Sequence, residues 1–351
     1  MDLATNLNQQ QRKAVTNTEG PVLVLAGPGS GKTRALTYRT AYLIQEKEVK
    51  PANILTVTFT NKASKDMQEK IFQLVGQENC RGMWIGTFHA IGLRILTSHL
   101  SKVNRQEGYT IYGREESINI VADLIKENNL DKRQYNPQEV FEVFNRAKLE
   151  LIPADQVVDY YLEQGKQEKR FYEQISSIYQ SYEEILGNNN VFDYADLITK
   201  TIQLFEQYPW ILDRYRHQFK YVQIDEYQDT NLSQYKLANL LSQPEENLFV
   251  VGDDYQSIYR FRGADVTNIL EFEHDFPEAE VIKLEQNYRS TANILSTANQ
   301  VIKNNTQNKQ KEIWTQREPG EKVVVYQITN PYLEAEFVKQ QIEKLEAEDY
   351  K

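Results

Sequence analysis

Apolar residues enter this chain in short unbroken runs, and each run gives way to a stretch with helical periodicity. The first run, "PVLVLAG" (residues 21–27), leads into a polar loop and then "KTRALTYRTAYLI". The second, Ile54–Thr60, precedes an amphipathic helix with Met67, Ile71, Phe72 and Val75 on one face. "MWIGTFHAIGLRILTSHL" repeats the unit. Strands alternating with helices predict an α/β fold with a parallel sheet and helices on both faces.

The pattern changes after about Gly108. Residues 109–190 are helix-periodic and rich in Glu, Gln, Lys and Tyr, and they read as a helical insertion between 1–108 and 191–283. The α/β pattern resumes in "FKYVQIDEYQDT", "ENLFVVGDDYQSIYRFRGA" and "AEVIKLEQNYRS". Residues 284–351 add one expected strand, "KVVVYQI", and one helix, "YLEAEFVKQQIEKLEAE".

Composition sets outer bounds. A chain of 351 residues accommodates about two domains. With 40% hydrophobic and 26% charged residues it reads as an ordinary globular protein. Cys80 is the single cysteine, so no internal disulfide forms, which fits a reducing cytoplasm. The first residues have no signal-peptide shape, and the longest apolar run is too short for a bilayer, so no membrane partner is expected. The net charge of −10 argues against a nucleic-acid partner. Residues 1–108, however, carry 14 Lys and Arg against 8 Asp and Glu, whereas the remainder carries 26 against 42. A locally positive groove and plain scatter of surface charge explain that split equally well.

"AGPGSGKT" carries the first specific chemistry. Ala26, Gly27, Pro28, Gly29, Ser30 and Gly31 form a loop whose backbone N–H groups can bind phosphates at the start of a helix. Lys32 is placed to reach the β- and γ-phosphates, and the Thr33 hydroxyl to ligate Mg²⁺. Ala26 stands where the usual pattern has glycine. A phosphate loop needs a carboxylate on a neighbouring strand, and "YVQIDEYQDT" supplies Asp225 for the metal and Glu226 to orient and deprotonate water. A guanine-specific N-K-x-D is not offered: "NKAS" (residues 61–64) lacks the aspartate.

The order of these stretches resembles the UvrD/Rep/PcrA family of superfamily 1 DNA helicases over essentially the whole chain. That resemblance implies a RecA-like P-loop lobe (1–108 and 191–283), a helical insertion (109–190) and the start of a second RecA-like lobe (284–351). The family's own loop begins with alanine, which accounts for Ala26. "LNQQQRKAV" is similar to the family's Q motif, which implies that Gln11 reads adenine, and Arg34 falls where the family lies against the nucleotide. "TFTNKAS" and "GTFHAIGLRIL" resemble motifs lining the single-stranded DNA path, which implies DNA contacts from Phe59, Thr60, Asn61, Thr87, Phe88 and His89. Read without the resemblance, Phe59 is equally a buried strand residue and His89 a loop histidine. "FDYADLI" resembles the motif at the return from the insertion, and Asp229 belongs to the metal-and-water signature. In "VVGDDYQSIYRFRGA", Gln256 matches the γ-phosphate sensor, and Tyr259, Phe261 and Arg262 match the DNA end. Relatives commonly carry tryptophan where Phe261 stands. "LEQNYRS" implies that Tyr288 stacks on adenine and that Arg289 is an arginine finger.

The resemblance implies ATP and Mg²⁺ as ligands, single-stranded DNA or a junction as partner, 3′-to-5′ movement, and a role in repair or replication. The family's later second-lobe stretches, with a second arginine finger, have no counterpart before Lys351. The expectation is a chain that binds ATP and DNA, hydrolyses weakly and unwinds little by itself, with a partner to supply the rest of the second lobe. The alternative is a non-motor binding module or one subunit of a split motor.

Overall fold

Eight strands form in the computed structural model, which describes residues 3–305 and 309–348: β1 Val22–Ala26, β2 Ile54–Thr58, β3 Trp84–Thr87, β4 Thr110–Tyr112, β5 Val191–Asp193, β6 Tyr221–Ile224, β7 Leu248–Gly252 and β8 Glu280–Leu284. Six of them make one sheet in the order β3-β2-β6-β7-β1-β8, and every neighbouring pair is parallel. β1 is buried along its whole length, as a strand covered on both faces must be. Its side chains alternate between two cores. Leu23 and Leu25 pack with Phe205 and Tyr227 on one face, and Val22, Val24 and Ala26 pack with Leu36, Met67 and Ile71 on the other. The α/β architecture read from the alternating pattern is therefore the one observed.

A parallel sheet sends all its strand ends to one edge. The turns after β1, β2, β3, β6 and β7 open there, and they carry residues 27–31, 59–61, 87–89, 225–229 and 253–256. Segments far apart in sequence thus share one rim.

Residues 114–188 build a separate helical core from Val121, Phe144, Ile175 and Tyr182 among others. At its base β4 pairs with β5, Thr110 opposite Val191 and Tyr112 opposite Asp193. Three-residue strands are too short to show alternation, and the sequence pattern did not signal them. A buried ion cluster sits beside this neck. The Lys148 ammonium lies 2.5 Å from Glu183 and 2.9 Å from both Asp193 and Asp196. Burial opposes its charge, yet Asp193, Asp196 and Glu183 together hold its pKa well above the usual lysine range. These three carboxylates are spaced closely enough to share a cation, and Lys148 supplies that charge.

The last part departs from expectation. A helix, Ala292–Ile302, forms where none was signalled. Residues 322–328, expected as a strand, form none: Val323, Val324, Val325 and Tyr326 are exposed, Val325 by 90%. A strand is held by ladder hydrogen bonds to a neighbour, so β-propensity alone does not make one. The expected terminal helix does form, as Pro331–Ala347, capped by Asn330, but it buries none of its residues. Among the described residues no helix is long and apolar enough to cross a membrane.

Candidate nucleotide site and nucleic-acid face

Ala26 is wholly buried as the last residue of β1, where its methyl group packs in the core that also holds Leu36. The loop that follows is clamped from three directions. The Gln11 amide donates to the Ser30 carbonyl at 2.8 Å, the Asn287 amide donates to the Pro28 carbonyl at 2.5 Å, and the Tyr288 N–H donates to the Gly29 carbonyl at 2.9 Å. The Ser30 hydroxyl donates back to the Gly27 carbonyl at 2.7 Å. Gly29 has a φ of 69°, and a Cβ there would lie 2.8 Å from the Cβ of Arg289. Glycine therefore serves twice, for the turn and for the approach of Arg289.

Gln11, Arg34 and Tyr288 come together in space. With Asn8 and Gly31 they line an open pocket of about 510 Å³ beside the loop. Asn8 organises it: its side chain caps the helix Gln9–Thr16 and donates to the Tyr288 hydroxyl at 2.8 Å. Arg34 donates to the Asn6 carbonyl at 2.7 Å. The Gln11 amide oxygen also accepts from the Asn8 N–H at 3.2 Å, so this side chain ties the loop as well as facing the pocket.

Lys32 opens the helix Lys32–Gln45 with its ammonium 3.4 Å from the Ala26 carbonyl and 3.8 Å from Glu226. Thr33, half-buried, follows it. Asp225 and Glu226 leave the end of β6, two strands from β1, with β7 between. Glu226 has a φ of 52°, the left-handed region that a non-glycine residue occupies at a cost, and such residues cluster at working sites. Burial, reinforced by the Glu226 charge, pushes the Asp225 carboxyl up to about 7, although Lys32 works against it. Burial and Glu226 likewise raise Asp229 to about 6. One buried oxygen of Asp229 has no hydrogen-bond partner. The raised carboxyls of Asp225 and Asp229 beside Glu226, with the orphaned Asp229 oxygen, make an acidic corner at the end of β6 whose oxygens are of the kind a hard divalent cation takes.

Gln256 turns its amide to Asp253 at 2.5 Å. Between Gln256 and Glu226 lies Gln228, buried, which sequence reasoning passed over. It donates to Glu226 at 3.0 Å and to Asp229 at 3.2 Å, and it accepts from the Asp253 N–H at 2.9 Å. Asn287 was also passed over. Both lie inside stretches already singled out, so the signal was position within a motif rather than residue type.

Farther along the rim the aromatic residues gather. Phe59, half-buried beyond the end of β2, stacks on Tyr259 with centroids 5.3 Å apart, and Tyr259 meets Phe261 at 6.0 Å. Phe59 is thus not a buried strand residue. Phe261 is 78% exposed. His89 meets Tyr194 edge-on at 5.7 Å, and burial lowers its pKa. Tyr194, also exposed, joins Phe261 and Arg260 along a cleft of about 610 Å³ between the helical unit and the sheet. Phe88 is different: it is buried in the core with Ile91 and Phe192, so its ring is not presented at the rim. Thr60 and Thr87 cap the helices Asn61–Val75 and Phe88–Thr97, accepting from Ala63 and Ala90, and Asn61 is exposed at the first of these helix starts. The Arg262 side chain lies outside the described residues.

Comparison with known proteins agrees with this geometry. The sequence model of the UvrD/REP helicase N-terminal domain matches residues 7–277, and that of the UvrD-like helicase C-terminal domain matches residues 282–351. Proteins named ATP-dependent DNA helicase PcrA from Staphylococcus epidermidis and Staphylococcus aureus are 43% identical over 343 and 346 residues. Each alignment covers 97% of this chain and 46% of the relative, so the chain spans about half the length of the curated relatives it matches. With a match over most of its length and the loop, carboxylates and aromatic rim in one place, the chain belongs to the UvrD/REP helicase family.

Proposed function

We propose that this chain binds ATP with Mg²⁺ at the loop after β1, binds single-stranded DNA along the aromatic rim, and couples the two as part of an ATP-dependent DNA helicase. The observation that carries the reading is the shared edge. Arg289 packs on Gly29 of the loop, Lys32 lies 3.8 Å from Glu226, Gln256 joins Glu226 through Asp253 and Gln228, and Gln256 lies three residues from Tyr259, which stacks on Phe59. The loop amides and Lys32 bind the phosphates, and Gln11, Arg34 and Tyr288 hold the base. Thr33 and Asp225 hold the metal, which supplies charge neutralisation at the phosphate oxygens. Glu226 orients water and accepts its proton, while Gln228 fixes the carboxylate. Arg289 meets charge that develops on the γ-phosphate. Phe59, Tyr259 and Phe261 offer stacking faces to bases, a sequence-tolerant contact worth about 1–3 kcal/mol each. Thr60, Asn61, Thr87 and His89 face the backbone of the strand.

Loss of the γ-phosphate would release Arg289 and Gln256 together, which loosens the rim and moves the strand, 3′ to 5′, in repair or replication. A second reading, a chain that works with a partner carrying the rest of a second lobe, is favoured by the exposed Val323–Tyr326 run and the unburied helix Pro331–Ala347. Binding of a fluorescent ATP analogue tests the core of the proposal. Lys32→Ala abolishes binding if the loop is the phosphate site, and retained affinity refutes that assignment.

A further inference from the structure

The segment after the helix Ala292–Ile302 returns to the rim and inserts a cation beneath it. Lys311 has a side chain only 1% exposed. Its ammonium lies 2.7 Å from Asp253, pairs closely with Asp254, and sits 3.8 Å over the Tyr255 ring. The side chains of both aspartates are fully buried. The backbone is pinned in the same place. The Lys309 N–H donates to Asp254 at 2.8 Å, and the Lys311 N–H donates to the Tyr255 hydroxyl at 3.2 Å. Two residues on, Ile313 is buried over Gly27 of the phosphate loop, in the space a Cβ there would need.

Two adjacent buried carboxylates are costly without a counter-charge. Lys311 supplies it, and together with the Tyr255 N–H, which donates to the same Asp253 oxygen at 3.1 Å, it fixes which way Asp253 points. One oxygen of Asp253 faces Lys311, and the other accepts from the Gln256 amide at 2.5 Å. The Asp253 N–H donates to Gln228, which holds Glu226. The path from Lys311 to Gln256 is thus one shared carboxylate, and a single glutamine continues it to Glu226. Asp254 is different: it bonds Lys309 and Lys311 and closes the ammonium's other side.

We propose that Lys311 is a positioning residue for ATP hydrolysis. By orienting Asp253 it aligns Gln256, and through Gln228 the water-activating carboxylate Glu226. The inference rests on the ATP reading above and adds to it a residue from beyond β8. Residues 309–313 thereby report their docking on this edge to the hydrolytic machinery.

The test compares Lys311→Met, Lys311→Arg, Asp253→Asn, Asp254→Asn and Lys311→Met in a Gln256→Ala background, all in the 351-residue chain. Binding of a fluorescent ATP analogue and single-turnover ATP hydrolysis with Mg²⁺ and oligo-dT are measured together. Loss of the ion pair that orients Asp253, and so misalignment of its charge-assisted bond to the Gln256 amide, predicts a fall of about 10–100-fold in hydrolysis for Lys311→Met, with ATP affinity changed by less than about 3-fold. Lys311→Arg recovers most of the rate. In the Gln256→Ala background Lys311→Met adds less than about 3-fold, because the two act as a unit. If Lys311→Met does not fold, the two aspartates decide. Asp253→Asn loses about 10-fold or more and Asp254→Asn less than about 3-fold, whereas a purely structural ion cluster makes their effects equal. Wild-type-like hydrolysis by Lys311→Met, multiplying losses in the double variant, or equal effects at the two aspartates overturn the proposal. A wild-type chain that binds no ATP overturns the functional reading beneath it instead.

Discussion

Asp225→Asn should make this protein more stable while removing its activity. The Asp225 carboxyl is buried, and burial with the neighbouring Glu226 charge holds its pKa at about 7. In the unfolded chain it ionises near 4. Between those values the unfolded state has released a proton that the folded state keeps, so raising the pH favours unfolding. Above about pH 7 the folded state carries the full burial cost. Asparagine keeps an acceptor for the Glu226 N–H, which now bonds Asp225 at 3.1 Å, and carries no charge. The advantage of the variant is therefore near zero at low pH and grows to a ceiling of about 4 kcal/mol at pH 8. Urea unfolding followed by circular dichroism at pH 4.5, 6 and 8, without nucleotide or divalent ion, measures it. Adding Mg²⁺ and ATP stabilises the wild type and not the variant. A variant less stable than wild type at pH 8, or an advantage that does not change with pH, refutes the reasoning.

Other variants probe separate parts of the account. Arg289→Ala keeps ATP affinity within about 10-fold and lowers hydrolysis by at least about 100-fold in a single-turnover assay, because its charge is needed most as the γ-phosphate leaves. Phe261→Ala weakens oligo-dT binding by about 5–100-fold in fluorescence anisotropy, the worth of one stacking face, and Phe261→Trp restores or improves it. Lys148→Met leaves buried Asp193 without a cation, while Lys200 stays within reach of Glu183 and Asp196, and destabilises the helical unit by about 3–5 kcal/mol in urea unfolding. Asn287→Ala removes the clamp on Pro28 and raises the dissociation constant of the ATP analogue by about 5–10-fold, with the fold intact by circular dichroism.

The sheet was legible because its strands are covered on both faces. Runs such as Val22–Ala26 and Leu248–Gly252 are apolar without interruption, and the helices between them carry a clear stripe. The neck strands β4 and β5 were not legible, since three residues show no alternation and their pairing joins positions about 80 residues apart. The segment 322–328 misled for the opposite reason: three consecutive valines have strand propensity, but pairing is a property of neighbours. Site residues named by motif fell on one rim because a parallel sheet gathers its loops there. Phe88 did not follow, because the first turn of a helix packed on the sheet points one side chain inward. Lys311 carried no local signal at all. A lysine among polar residues reads as solvated, and only the returning chain shows that it ends between two buried aspartates.

The central claim is that the phosphate loop and the aromatic rim work as one device, and linkage gives it a direct test. The measurement is the affinity of fluorescent oligo-dT for the 351-residue chain, by anisotropy, with and without a saturating Mg²⁺ complex of a non-hydrolysable ATP analogue. The account predicts a shift of about 5-fold or more between the two states, lost in Lys32→Ala, while the nucleotide-free affinity of that variant matches wild type. Equal affinity in both states, or a shift that survives Lys32→Ala, contradicts it.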